Sequence, residues 1–340
     1  MIVDGRVLCE DFVPGDVVHR HDEVRRLSAG LEPLLVGGRP ETAFLFGPTG
    51  AGKTCIARYT LEQLHTEAPS VRVAYVNCWQ EYTRFRVLYS LLDAIDRAFD
   101  VHRSTPKDEL FDRLWDADDA PIVAILDEVD QLAETEVLYD LHRLPHVSLV
   151  LVANREEELF AGFDDRVRSR LRAGRRIQFD RYGTDELVAI LDERVRLGLE
   201  PDAVSQAELL TIADAAAGDA RVGIGILRSA AQRATNRGLD ELTDDLLEAA
   251  IPDARTEIRQ TTVESLPDHQ RTLYEIVQET GEIEPGDLYA TYEARVEQPK
   301  TRRTLRNYLT KMVHYDLIEA VGEKRGRTYR PVPDGAADSG

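Results

Sequence analysis

TAFLFGPTGAGKT, residues 42–54, decides the architecture of the first half of this chain. An apolar run, TAFLF, ends in a glycine-rich turn matching G-x-x-x-x-G-K-[ST], and helix-compatible sequence follows from Lys53 to about His65. Strand, loop and helix in that order are the context in which this motif binds phosphate. Gly47, Gly50 and Gly52 allow backbone N–H groups to close on an anion where a Cβ would collide, and Pro48, Thr49 and Ala51 complete the cradle. A helix starting at Lys53 aims its positive end at the same anion. Lys53 would reach the β- and γ-phosphates, and Thr54 would give its hydroxyl to Mg²⁺.

Working outward, strand-like and helix-like segments alternate, which predicts an α/β fold with a parallel sheet. Strands are expected at 71–76, 122–126, 147–153 and 175–179, with helices after the second strand through Phe99 and again over 107–116. IVAILDEVD (122–130) ends a β-branched strand in adjacent carboxylates. Beside a phosphate loop these become Asp127, holding Mg²⁺ through water, and Glu128, orienting an attacking water. VLVAN places Asn154 at the tip of the next strand, where it could orient the same water.

After Arg181 the strand signals stop. Residues 184–199, 205–217, 219–237 and 243–260 read as helices separated by Gly, Pro and Asp. From about Ser265 three amphipathic helices precede two short strands around GEKRG. The expected domains are an α/β nucleotide-binding unit (1–181), a helical lid (182–261), a winged helix (262–333) and a disordered tail (334–340).

The 340 residues carry a net charge of −20, with 43% hydrophobic and 31% charged side chains, a globular composition. No apolar run approaches the ~20 residues of a membrane span, so we expect a cytoplasmic, nucleoid-associated protein with no membrane partner. Cys9, Cys55 and Cys78 form no CxxC or His/Cys cluster, which speaks against disulfides and zinc. Five lysines stand against 37 arginines. Heavy acidity with so little lysine suits a very salty cytoplasm.

The order GPTGAGKT, ILDEVD, VAN, RVRSRL, GDAR and a C-terminal winged helix resembles the AAA+ ATPases. It is most similar to the archaeal Orc/Cdc-type replication initiators, related to the eukaryotic origin recognition complex and its partner loading ATPase. The resemblance spans roughly residues 10–331 and implies ATP/ADP with Mg²⁺, slow hydrolysis used as a switch, and double-stranded origin-like DNA. It also implies a replicative helicase and paralogous initiator subunits as partners. In the DDRVRSRL segment, Arg166 and Arg170 would reach a neighbouring subunit's γ-phosphate, with Arg168 close enough to leave the choice open. Arg221 of GDAR would contact the γ-phosphate from the lid, a role that suits a permanently charged planar fork. Val17, Val18, His19 and Arg20 would line the adenine side. Arg84 and Arg86 would lead into a helical insertion that touches DNA. REEELF after Asn154, Ala217 before GDAR and the short chain depart from the family pattern and suggest a divergent paralogue.

One basic island stands out in this acidic chain: residues 295–330 hold ten basic and four acidic side chains. In KTRRTLRNYLTK (300–311), Leu305 and Leu309, with Met312 just beyond, recur at helical spacing and face a core. Arg302, Arg303, Arg306, Asn307, Thr310 and Lys311 are left for a major groove. Lys324, Arg325 and Arg327 fall on the wing, suited to a minor groove or backbone. Phosphate contacts weaken steeply with salt, so a salty cytoplasm shifts affinity toward groove edges and DNA shape. A transcriptional or plasmid-maintenance regulator built from the same parts is the alternative reading.

Overall fold

The computed structural model describes residues 1–117, 120–322 and 326–332. Two compact units emerge, Met1–Leu247 and a second from Glu248 onward.

The first unit opens with a 3₁₀ turn, Gly5–Leu8, and helix α1 (His21–Leu31). Strand β1 (Ala43–Phe46), helix α2 (Lys53–Glu67), β2 (Arg72–Asn77), α3 (Arg84–Asp93) and α4 (Lys107–Trp115) follow. Next come β3 (Ile122–Asp127), α5 (Glu136–Arg143), β4 (Val147–Ala153), α6 (Glu156–Ala161), α7 (Asp165–Leu171) and β5 (Arg175–Gln178). The five strands pair in parallel in the order β2-β3-β4-β1-β5.

Alternation along each strand builds both faces of the core. Phe44, Phe46, Leu126 and Leu151 pack on one side with α3, α5 and α7 residues. Leu45, Ile125, Val150 and Val152 pack on the other with α1 and α2 residues. Burial on both faces explains why the central strands read as continuous apolar runs.

The helix expected through Phe99 ends earlier, at Asp93. Asp96 turns left-handed at φ 59° and the Arg97 amide returns to the Leu92 carbonyl at 2.8 Å, which reverses the chain without glycine or proline. Phe99 is left 93% exposed.

The lid is helical as expected: α8 (Thr184–Gly198), α9 (Gln206–Ala216), α10 (Ala220–Arg237) and α11 (Asp244–Glu264), which crosses the division between the units. Ser205 and Glu208 form a capping box on α9. Residues 2–8, expected with the α/β core, are bonded instead to α8, and Leu8 accepts from Arg228 of α10 at 3.5 Å.

The second unit is a winged helix: α12 (Asp268–Thr280), α13 (Pro285–Arg295), α14 (Arg302–His314) and an antiparallel pair, β6 (Ile318–Val321) with β7 (Thr328–Pro331). Leu305, Leu309 and Met312 of α14 are fully buried, as their spacing predicts. Lys324, Arg325 and the expected disordered tail lie outside the described residues.

Candidate functional site

The carboxyl ends of β1, β3 and β4 converge with the start of α10 on a cleft of ≈ 190 Å³. Its wall includes Thr49, Gly50, Gly52, Lys53, Thr54, Asp127, Glu128, Asn154 and Arg221. Ligands of open parallel sheets bind at this end of the strands.

Lys53 is buried, and its ammonium donates to the Gly47 carbonyl at 2.7 Å, the Pro48 carbonyl at 2.8 Å and Asn154 Oδ1 at 3.1 Å. Burial depresses its pKa to about 8, partly offset by Asp127. Asp127 is buried too, which pushes its carboxyl above the usual range, and hydrogen bonds from Thr54 and Tyr75 oppose that rise. Thr54 Oγ1 donates to Asp127 Oδ2 at 2.7 Å, and Tyr75 Oη donates to the same oxygen at 3.0 Å. Glu128 holds the left-handed conformation, φ 52°, a strained geometry for a non-glycine residue. Its amide donates to Asp127 Oδ1 at 2.9 Å, which fixes the Asp127 carboxylate against the Glu128 main chain.

The lid rests directly on the phosphate loop. Asp219 caps α10, accepting from the amides of Arg221 at 2.8 Å and Val222 at 3.3 Å. The Ala220 amide donates to the Gly50 carbonyl at 3.1 Å. A Cβ on Gly50 (φ +74°) would stand 1.9 Å from Asp219 Oδ1, so only glycine admits this approach. Arg221 reaches the cleft with its Nε buried and without a hydrogen-bond partner.

Val17, Val18 and His19 line the cleft, and His19 Nε2 is also buried without a partner. Arg20 sits apart. Its guanidinium lies 4.3 Å from the Tyr182 ring centroid and donates to Glu23 at 3.1 Å and to the Asp180 carbonyl, so it supports Tyr182 from behind. Arg84 is likewise engaged: its Nε stands 2.9 Å from Asp140 and its Nη2 3.3 Å from Asp108. These two carboxylates hold Arg84 at the start of α3, whereas exposed Arg86 pairs with Glu81 at 3.0 Å.

Arg166 and Arg170 are exposed on α7, while Arg168 is spent on the carbonyls of Phe163 at 2.9 Å and Phe160 at 3.1 Å. On α14, Arg303, Arg306, Asn307 and Thr310 are exposed and Lys311 is half-buried. Arg302 stands 3.7 Å from Glu293 and 5.9 Å from the Tyr289 ring, and Arg327 is exposed.

Tyr75, Tyr182, Glu193 and Arg194 escaped the sequence reading. Only Tyr75 left a signal: a polar-tipped aromatic near the end of the strand paired with that of Asp127.

The AAA domain family matches residues 39–161, and the Cdc6 AAA+ ATPase-type lid domain family matches residues 188–252. ORC1-type DNA replication protein 9 of Halobacterium salinarum, a halophilic archaeon, is 48% identical over 330 residues, 97% of this chain and 93% of that protein. The chain belongs to the ORC1-type DNA replication protein family. ORC1-type protein 1 of the same organism is 50% identical over 308 residues, covering 90% of this chain and all of that one. Among solved structures, the Aeropyrum pernix ORC1 protein in complex with DNA superimposes with a TM-score of 0.77 at 25% identity, covering 98% of this chain and 94% of that one. The AAA+ core, the lid and the winged helix described above are thus the shared architecture of this family.

Proposed function

We propose that this chain is a replication initiator whose hold on duplex DNA is set by ATP. The observation that carries the reading is the lid resting on the phosphate loop, with Ala220 bonded to Gly50 and Arg221 facing Lys53 and Asp127 across one cleft. A triphosphate in this cleft would meet the loop amides and Lys53 from the core and Arg221 from the lid. Its charge would satisfy the unpartnered Arg221 Nε, and its base would find Val17, Val18 and His19.

The Thr54 hydroxyl and the Asp127 carboxylate, 2.7 Å apart, are hard oxygen donors of the kind Mg²⁺ takes alongside phosphate oxygens. When bound, that ion would neutralise charge on the transferring phosphoryl group. Glu128 would orient the attacking water and Asn154 would hold it against the γ-phosphate. Arg166 and Arg170 would serve a neighbouring subunit's nucleotide.

DNA would be read by Arg303, Arg306, Asn307 and Thr310 of α14, with Lys311, Arg302 and Arg327 nearby, and Lys324 and Arg325 of the GEKRG sequence belong to the same proposal. Origin-like repeats, helicase recruitment and paralogous initiator subunits belong to the same proposal, as does the division into domains at 181 and 261. The test is site selection on duplex DNA with ATP, with ADP and with Lys53→Ala protein. ATP-dependent enrichment of one sequence, lost in the variant, is the expected result, and enrichment indifferent to nucleotide refutes the coupling.

A further inference from the structure

The first dozen residues precede the phosphate loop by some thirty positions, yet several of their hydrogen bonds run to the lid. Ile2 bridges Leu199, and the Val3 and Asp4 amides both donate to the Gly198 carbonyl, at 2.8 and 3.1 Å. The Glu200 amide donates to the Met1 carbonyl at 2.9 Å, and Val7 and Leu8 are buried. The anchor is Arg194 of α8, itself only 5% exposed. Its Nη1 donates to the Val7 carbonyl at 2.7 Å, its Nη2 donates to the Phe12 carbonyl at 3.2 Å, and its guanidinium lies 4.7 Å from the Phe12 ring centroid.

Five residues on, Val17 is already buried in the core with Leu27 and Leu45. Between these points the chain touches α2, where Arg58 donates to the Asp11 carbonyl at 3.4 Å, and it lends Glu10 and Pro14 to the wall of the nucleotide cleft. The main chain leaves the core for α8 near residues 180–183, so this segment, like the Ala220–Gly50 hydrogen bond, is a further non-covalent tie between core and lid.

The cleft wall divides by chemistry. Lys53, Thr54 and Asp127 suit phosphates and a cation, whereas Val17, Val18, Ile190 and Ile224 suit the flat face of a base. Arg194 and Glu193 share α8 with Ile190. We infer that residues 1–14 form a strap closing the base side of the cleft, and that Arg194 is the positioning residue pinning the strap to the lid. One planar fork serving two carbonyls fixes the loop between Val7 and Phe12. The inference rests on the nucleotide-binding reading above.

Amide exchange and nucleotide affinity test it together. In the wild-type chain, ATP slows exchange at Val3 and Asp4. Arg194→Met speeds exchange at both amides and raises Kd for ATP and ADP about tenfold, while affinity for inorganic tripolyphosphate, which lacks a base, is unchanged. Unaltered ATP affinity in folded Arg194→Met protein overturns the inference. So does a loss shared by tripolyphosphate, or weaker ATP binding with strap exchange unchanged, which makes Arg194 a direct base contact instead. Should that variant not fold, wild-type exchange at Val3 and Asp4 indifferent to ATP suffices to overturn it. Full ATP affinity in Lys53→Ala protein would instead sink the nucleotide reading itself.

Discussion

Replacing Gly50 with alanine probes the seating of the lid on the phosphate loop. Gly50 lies at φ +74°, where an L-residue costs about 1 kcal/mol. The new methyl would stand 1.9 Å from Asp219 Oδ1 and 2.1 Å from its Cγ, so Asp219 must leave. Losing Asp219 as the cap of α10 costs about 1 kcal/mol. The Ala220–Gly50 hydrogen bond at 3.1 Å goes with it, another about 1 kcal/mol. A total near ~3 kcal/mol lowers Tm of this unit by about 6–12 °C in scanning calorimetry. Gly238→Ala is the matched control: φ is +68° and nothing lies within 4 Å of the added carbon, so only strain is introduced. Its Tm should fall by about 2–4 °C. In the double variant Gly50→Ala/Asp219→Ala the cap is lost only once, so the two losses are less than additive by about 1 kcal/mol. Equal Tm losses at Gly50 and Gly238, or strict additivity with Asp219→Ala, would refute the contact.

Three further outcomes follow from the same geometry. Lys53, depressed to about 8, loses its charge in the free protein as pH rises through that value, and a neighbouring triphosphate raises the pKa again. ATP binding therefore takes up a proton above about pH 8, so Kd should climb by up to about tenfold per pH unit there. It should stay flat in Lys53→Arg protein, as fluorescent-nucleotide titration across pH would record. Arg84→Ala leaves Asp140 without its partner and should cost about 1–2 kcal/mol of stability by thermal melting. DNA affinity should not change, and a lowered affinity would restore Arg84 to the DNA surface. Arg303→Ala and Arg306→Ala should weaken duplex binding by fluorescence anisotropy. A phosphate contact reduces the salt slope by about 1 for each arginine, whereas a base contact relaxes sequence preference by about 1–3 kcal/mol. If neither quantity moves, α14 does not read DNA.

The residues legible in the sequence were those whose role is local. GPTGAGKT carries its own turn chemistry, ILDEVD its strand end, and Leu305, Leu309 and Met312 their own helical period. The residues whose folded surroundings the sequence did not foretell depend on partners far along the chain. Arg84 looks like a free cation until α5 brings Asp140 to it, and Arg20 looks like a pocket residue until Tyr182 stacks on it. The strap is the extreme case: Val7 and Arg194 are 187 positions apart, and no spacing rule links them. Tyr75 is intermediate, since strand pairing sets Tyr75 beside Ile125 of β3, two residues before Asp127. An ion pair or a stack leaves no periodicity behind, because charge has no preferred spacing between elements that meet only in the folded chain.

The cleft also shows how a nucleotide would be gained at modest cost. Lys53 already has three acceptors and Thr54 already donates to Asp127, so for them phosphates and a cation replace existing partners. Exchange of that kind gains only about 0.5–1.5 kcal/mol per hydrogen bond. Arg221 Nε and His19 Nε2 are different, buried and without partners, and satisfying each removes a desolvation cost of about 1–3 kcal/mol. Those two atoms belong to the lid and to the segment leading into α1. The steepest gain in binding therefore falls on the parts that must come together over the ligand, and this is what makes the position of the lid responsive to the nucleotide beneath it.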